Sequence, residues 1–199
     1  MDKSFSHNPI SLNGEQRGGP IWKKYEIEHD LRLDLESKSP AYFCQSKVPF
    51  VDTQMMKALR SFSDYEESDV RICLHDRPEA SFHDMINLHL STNFYRPHKH
   101  LKFSETYHLL EGKLGMVFFD KDSFIKNQSV LSMGNVLATR VPVEILHAVF
   151  PLSPIVIFHE SKPGPFVPGE DIVYPSWPPS PKDVASVDKY KESLKQNFK

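Results

Sequence analysis

From Val70 to Glu160 the chain is written as short apolar runs, many alternating with polar residues, separated by Gly, Pro and Asp punctuation. A two-residue period places alternate side chains on opposite faces of a strand. The pattern predicts strands at 70–74, 85–93, 105–111, 113–119, 123–126, 128–132, 136–141, 147–151 and 155–160. Many short strands with frequent turns predict a mainly β sandwich or barrel. Phe94, Phe103, Phe118, Phe119, Phe150 and Phe158 are expected to fill its interior. Upstream, Met55, Leu59 and Phe62 fall at i, i+4 and i+7 behind Asp52, which predicts a capped amphipathic helix over 53–62. Leu31, Leu33 and Leu35 alternate, which favours a strand within 25–35.

The ends read differently. Residues 1–24 are polar and marked by Gly18-Gly19-Pro20, which reads as a breaker, and a flexible segment or one lying over a neighbouring subunit is expected. From Pro163, seven prolines up to Pro181 predict an extended strap, because proline fixes φ and removes a backbone donor. Val184, Val187, Tyr190, Leu194 and Phe198 recur every three or four residues, predicting a short C-terminal helix. The expected divisions are 1–24 flexible, 25–69 an extension with a short helix, 70–162 the β domain, and 163–199 the strap and helix.

Composition narrows the function classes. With 24 basic and 26 acidic residues the formal charge is −2, so neither nucleic acid nor an anionic membrane is expected as the main partner. Cys44 and Cys73 are too far apart for a Cys-x-x-C motif and give no disulfide framework. No apolar run has the length of a membrane span, and the first residues lack the apolar stretch of a secretory signal. A reducing, cytoplasmic setting is the expectation.

One ordered constellation carries chemistry. His98-Lys99-His100 is followed by Glu105, then Gly112, and later by Pro142-Val143-Glu144-Ile145-Leu146-His147. On a strand, His98 and His100 share a face, whereas on a helix they would diverge by roughly 200°. A turn beyond His100 can carry Glu105 back beside them, and His147 must come from a distant strand. Three imidazoles and one carboxylate suit a divalent ion such as Fe, Zn, Mn or Ni, and leave room for water or substrate. Lys99, between the two histidines, should face outward. His75, His83, His89, His108 and His159 are read as structural or surface groups.

These residues resemble the two cupin motifs, His-x-His followed by Glu and Gly, and Pro-x-Gly-x-x-His. Thr92 stands in place of the opening Gly, Glu144 in place of the second motif's Gly, and Pro151 in place of its Asn. A narrower resemblance, over roughly residues 50 to 180, is to the WbuC-type cupin-fold metalloproteins. It is carried by Arg71-Ile72-Cys73-Leu74-His75, Ile86-Asn87-Leu88-His89, Tyr95-Arg96-Pro97-His98-Lys99-His100, Gly164-Pro165-Phe166 and Tyr174-Pro175-Ser176-Trp177-Pro178-Pro179. The resemblance implies a closed jelly-roll (double-stranded β-helix) barrel, to which the residues themselves add the short N-terminal helix and the extended Pro-rich C-terminal tail. It also implies a metal held by His98, His100, Glu105 and His147, and an association with surface-polysaccharide metabolism.

The resulting expectation is a metalloenzyme acting on a small polar substrate such as a sugar or sugar nucleotide, assembled as a homodimer. Two chemistries stay open: Lewis-acid isomerisation or epimerisation, and oxidative cleavage with Fe(II) and dioxygen. Glu144 and Glu160 are the candidate proton-moving carboxylates. Tyr95, Arg96 and Tyr107 flank the ligands and are candidates for binding substrate, Arg96 through paired hydrogen bonds to an anion. The competing class is a non-catalytic, metal-dependent module that binds or senses a metabolite.

Overall fold

The computed structural model describes residues 17–37, 39–167 and 169–198. In chain order these form α1 (Gly19–Glu28), β1 (Leu31–Leu33), β2 (Ala41–Cys44), α2 (Thr53–Glu66), β3 (Val70–Cys73), β4 (Phe82–Leu90) and β5 (Lys99–His100). They continue as β6 (Glu105–Glu111), β7 (Lys113–Phe119), β8 (Ile125–Ser132), β9 (Ala138–Val141), β10 (Leu146–Pro151), β11 (Ile155–Pro163), β12 (Ile172–Val173) and α3 (Val184–Gln196). The fold is mainly β with three helices.

Hydrogen bonding sorts the strands into a seven-stranded sheet, β1-β2-β3-β4-β11-β6-β9, a three-stranded sheet, β10-β7-β8, and the pair β12-β5. Period-two alternation then builds four layers. On β11, Ile155 and Ile157 face α1 and α2, where they join Trp22, Tyr42, Leu59, Phe62, Ile72 and Leu88. Val156 and Phe158 face the other way and meet Leu114, Met116 and Val149 of the small sheet, with Tyr107 and Leu109 beside them. The outer face of the small sheet presents Val117, Phe119, Ala148 and Phe150 to Leu194 of α3, with Trp177 and Tyr190 packed alongside. Each of the largest buried side chains is worth about 1.5–3 kcal/mol of burial.

Four expectations need correction. The sheet does not close into a hydrogen-bonded barrel among the described residues: the large sheet ends at β1 and β9, the small one at β10 and β8. Near the ligands, β10 meets the segment before β5 through the isolated pair His98↔His147, with the Glu144 N–H donating to the His100 carbonyl beside it. Phe119 and Phe150 lie under α3 rather than between the sheets. Of the expected flexible segment, residues 1–16 lie outside the described residues, while Gly18-Gly19-Pro20 opens a helix instead of breaking one. Proline is pre-set for the first helical turn, and Gly18 takes φ 79° where a Cβ would meet Trp22 and Phe62 at 2.5 Å. Finally, the expected strand over 25–35 is helix to Glu28 and strand only at Leu31–Leu33.

Other elements form for the reasons read from sequence. The Asp52 carboxylate accepts the Gln54 and Met55 N–H groups, both at 2.9 Å, and caps α2. Gly112 takes φ 83° in the β6–β7 turn, where a Cβ would stand 2.5 Å from the Ile155 carbonyl oxygen. No helix among the described residues is long and apolar enough to cross a membrane.

Candidate metal centre

The three sheets each deliver part of one cluster at the end of the space between them. β6 begins with Glu105, which points inward with Tyr107 and Leu109. β10 delivers His147, β5 ends on His100, and His98 sits just before β5. The N–H of each of His98 and His147 donates to the other's carbonyl at 2.9 Å, which locks these two segments together. One donor atom from each of His98, His100 and Glu105 lies within 4.8 Å of the others. His147 falls outside that tight group of three, but its Nε2 stands 2.8 Å from Glu105 Oε1. On the other side of the same carboxylate, His100 Nε2 is 3.1 Å from Oε2. His147, Glu105 and His100 are almost wholly buried, at 0%, 2% and 3% exposure.

The outer nitrogens of the imidazoles decide which atoms are offered inward. His98 Nδ1 is 3.0 Å from the Arg96 carbonyl and His147 Nδ1 is 2.9 Å from the Ile145 carbonyl. His100 Nδ1 contacts the Asp171 carboxylate. Those partners are pure acceptors, so each Nδ1 carries the proton and each neutral ring keeps an Nε2 lone pair. With the protons on Nδ1, neither Nε2 can donate to Glu105 across these short separations. His100 Nε2, His147 Nε2 and Glu105 Oε1 are therefore buried without hydrogen-bond partners. Buried polar atoms are seldom left unpaired, and lone pairs turned on a carboxylate repel it. A divalent cation satisfies all of them at once, so the donor set fits a metal such as Fe, Zn, Mn or Ni.

Electrostatics run the same way. Burial alone would raise the Glu105 carboxyl, but contacts from His100 and His147 and the Lys162 charge outweigh it and hold it well below the usual range. Burial, aided by His147, pushes His98 down to about 4, so its ring is neutral near pH 7. For His100, burial is outweighed by Glu105 and Asp171, and its pKa is raised.

Two contributors escaped the sequence reading. Lys162 stands on the inward face of β11, four residues beyond Phe158, with Nζ 3.0 Å from Glu160 and 3.8 Å from Glu105. Burial lowers its affinity for the proton, but the two carboxylates outweigh that and raise its pKa. The signal was available, since the alternation Val156, Phe158, Glu160 simply continues to 162. Asp171 lies 71 positions from His100 in the Pro-rich segment, and no periodicity announces it.

The remaining candidates divide. Tyr107 is buried beside Phe158, with ring centroids 5.7 Å apart. Burial and then the Glu105 and Glu160 charges raise its phenol well above the usual range, so it stays a proton donor. Glu160 is half-buried, held by Lys162 and at 3.4 Å by the Asn87 amide. The Tyr95 hydroxyl donates to Asp69 at 3.0 Å and its ring stacks on His89, 4.3 Å between centroids, which makes it a tie between segments. The Arg96 guanidinium lies 4.6 Å over the Tyr174 ring and donates to the Pro175 carbonyl at 3.3 Å. Glu144 is exposed in the turn before β10, and its N–H donates to the His100 carbonyl at 2.7 Å. It adopts φ 63°, the left-handed conformation a glycine would take at that place.

Comparison with known proteins adds the following. Residues 68–131, which include His98, His100 and Glu105, match a family described as a domain of unknown function, DUF6016. No curated protein matches the sequence. Among solved structures, the chain is similar to the capsular polysaccharide assembling protein CapF of Staphylococcus aureus, at 12% identity over 72% of this chain and 34% of that one, TM-score 0.46. It is also similar to an oxalate decarboxylase mutant of Bacillus subtilis, at 17% identity over 47% and 24%, TM-score 0.39. A third is the hydroxypropylphosphonic acid epoxidase of S. wedmorenis, at 18% identity over 41% and 43%, TM-score 0.35. The chain thus spans well under half the length of each of these three proteins.

Proposed function

We propose that this chain is a cupin-type metalloprotein that holds one divalent transition-metal ion through His98, His100, Glu105 and His147 and acts as an enzyme on a small polar substrate. The observation that carries the reading is the set of buried, unpartnered atoms on His100, Glu105 and His147, with every outer imidazole nitrogen already engaged. An ion bound there would supply Lewis acidity or, as iron(II), redox chemistry with dioxygen.

The chain's own residues do the rest. Lys162 holds Glu105 and Glu160 in place and balances their charge in the interior. Glu160 and the phenol of Tyr107 are the inward groups able to exchange a proton with substrate, with Glu144 at the solvent side. A sugar or sugar nucleotide, and a link to surface polysaccharide, follow from the WbuC-type resemblance of the motifs around His98. The same reading takes the protein as a cytoplasmic homodimer. A non-catalytic module that binds a metabolite through the same ion is the second reading, favoured by the engagement of Tyr95 and Arg96 elsewhere.

The test is metal content and stability of wild type and His147→Ala. Wild type should purify with, or take up, close to one equivalent of metal, and its melting temperature should fall in chelator. His147→Ala should lose most of both effects, because binding at a hundred times Kd stabilises the folded state by about 2.7 kcal/mol. Equal metal uptake by the two proteins would end the assignment. Substrate-dependent oxygen uptake then marks the oxidative route, and exchange of solvent protons into a sugar marks the isomerase route.

A further inference from the structure

The strap that crosses the site does more than pass over it. β12 pairs with β5 in the register Ile172↔His100 and Val173↔Lys99. The Asp171 carbonyl accepts the Leu101 N–H at 3.0 Å. The Asp171 side chain divides its oxygens between two tasks. Oδ1 accepts the N–H groups of Leu101 at 3.0 Å and Lys102 at 2.7 Å, while Oδ2 accepts from His100 Nδ1. Lys102 and Glu170 form a further ion pair at 2.6 Å. On the other side, Tyr174 stands 6.1 Å from the His98 ring.

We infer that Asp171 is the positioning residue of the metal centre: resting on the metal reading above, it fixes His100 in the form that carries its proton on Nδ1 and offers Nε2 to the ion. The contrast with the other two histidines supports this. His98 and His147 are oriented by backbone carbonyls two residues before them, at positions 96 and 145. His100 alone is oriented by a side chain, and that side chain comes from another element. A carboxylate in this place also makes the ring more basic and so a better ligand. Because Oδ1 is itself pinned by two backbone N–H groups, the carboxylate cannot swing away without breaking them.

Asp171→Asn separates this role from mere packing. An amide has one acceptor oxygen where the carboxylate has two. If that oxygen keeps the Leu101 and Lys102 N–H groups, the NH2 faces His100 Nδ1 and forces the proton onto Nε2, which removes the ligand lone pair. The tautomer of His100 is read by long-range proton–nitrogen NMR on metal-free protein, at a pH high enough for the ring to be neutral, and affinity is read by competitive Zn(II) titration. The expected results are an Nδ1–H ring in wild type, an Nε2–H ring in Asp171→Asn, and Zn(II) binding about 10–100-fold weaker in the variant. Retention of Nδ1–H in the variant, or a zinc Kd within about twofold of wild type, overturns the inference. A wild-type His100 protonated on Nε2 overturns it without any variant, so a variant that fails to fold does not shield it. A tautomer change in a protein whose wild type binds no Zn(II) ends the metal reading while leaving the orienting role supported.

Discussion

Lys162 is the interior charge whose removal has the most calculable effect. In Lys162→Met the stem is replaced by a group of similar length, and the ammonium 3.0 Å from Glu160 and 3.8 Å from Glu105 disappears. Taking away one partner of a buried ion pair costs about 3–5 kcal/mol, because the remaining charge is left in a poorly solvated place. The Lys162 and Glu160 side chains are 17% and 15% exposed, so the lower end, about 3 kcal/mol, applies. A chain of this size loses about 2–4 °C of melting temperature per kcal/mol, which predicts a fall of about 6–12 °C for the metal-free protein. With metal bound the fall should be smaller, since the cation compensates Glu105 and only Glu160 is left unpaired. Thermal unfolding by circular dichroism, in chelator and in excess Zn(II), reads both numbers. Adding Glu160→Gln should recover part of the loss, as expected for two groups in direct contact. A metal-free variant melting within about 2 °C of wild type would show that water, not Lys162, carries the burden of these carboxylates.

Two further outcomes are expected away from that pair. Burial, then the neighbouring His83, lowers the His75 ring to about 4, so the unfolded chain binds a proton that the folded one refuses between about 6.5 and 4. Stability therefore falls as pH drops through that window and stops falling on this account below it. An NMR titration midpoint for His75 above about 6 would refute this. Glu144→Gly should hold or raise the unfolding free energy measured in urea, by up to about 1 kcal/mol, because Glu144 sits at φ 63° and its side chain is exposed. Metal uptake should not change, and a loss of more than about 1 kcal/mol would mean that the Glu144 side chain makes a contact of consequence.

What the sequence revealed follows from how far each signal reaches along the chain. Strands β6, β7 and β11 were legible because their alternation is local and their turns are marked, as at Glu111-Gly112. The adjacency of His98, His100 and Glu105 needed only one strand face and one turn. Phe119 and Phe150 were misplaced because alternation assigns a face but not which face is inside, and α3 covers the second. β2 went unread: it is a four-residue apolar run whose partner β3 is parallel and lies beyond α2. Asp171 illustrates the remaining gap. Its partnership with His100 depends on where a Pro-rich segment crosses, and nothing in its neighbours encodes that.

The solitary bridge between His98 and His147 has a mechanical consequence. It ties β10 to the segment leading into β5, and with the Glu144 N–H on the His100 carbonyl three backbone hydrogen bonds hold that seam. An ion gripped by the four donors would act as a rivet at that rim, fastening β5, β6 and β10 to one point.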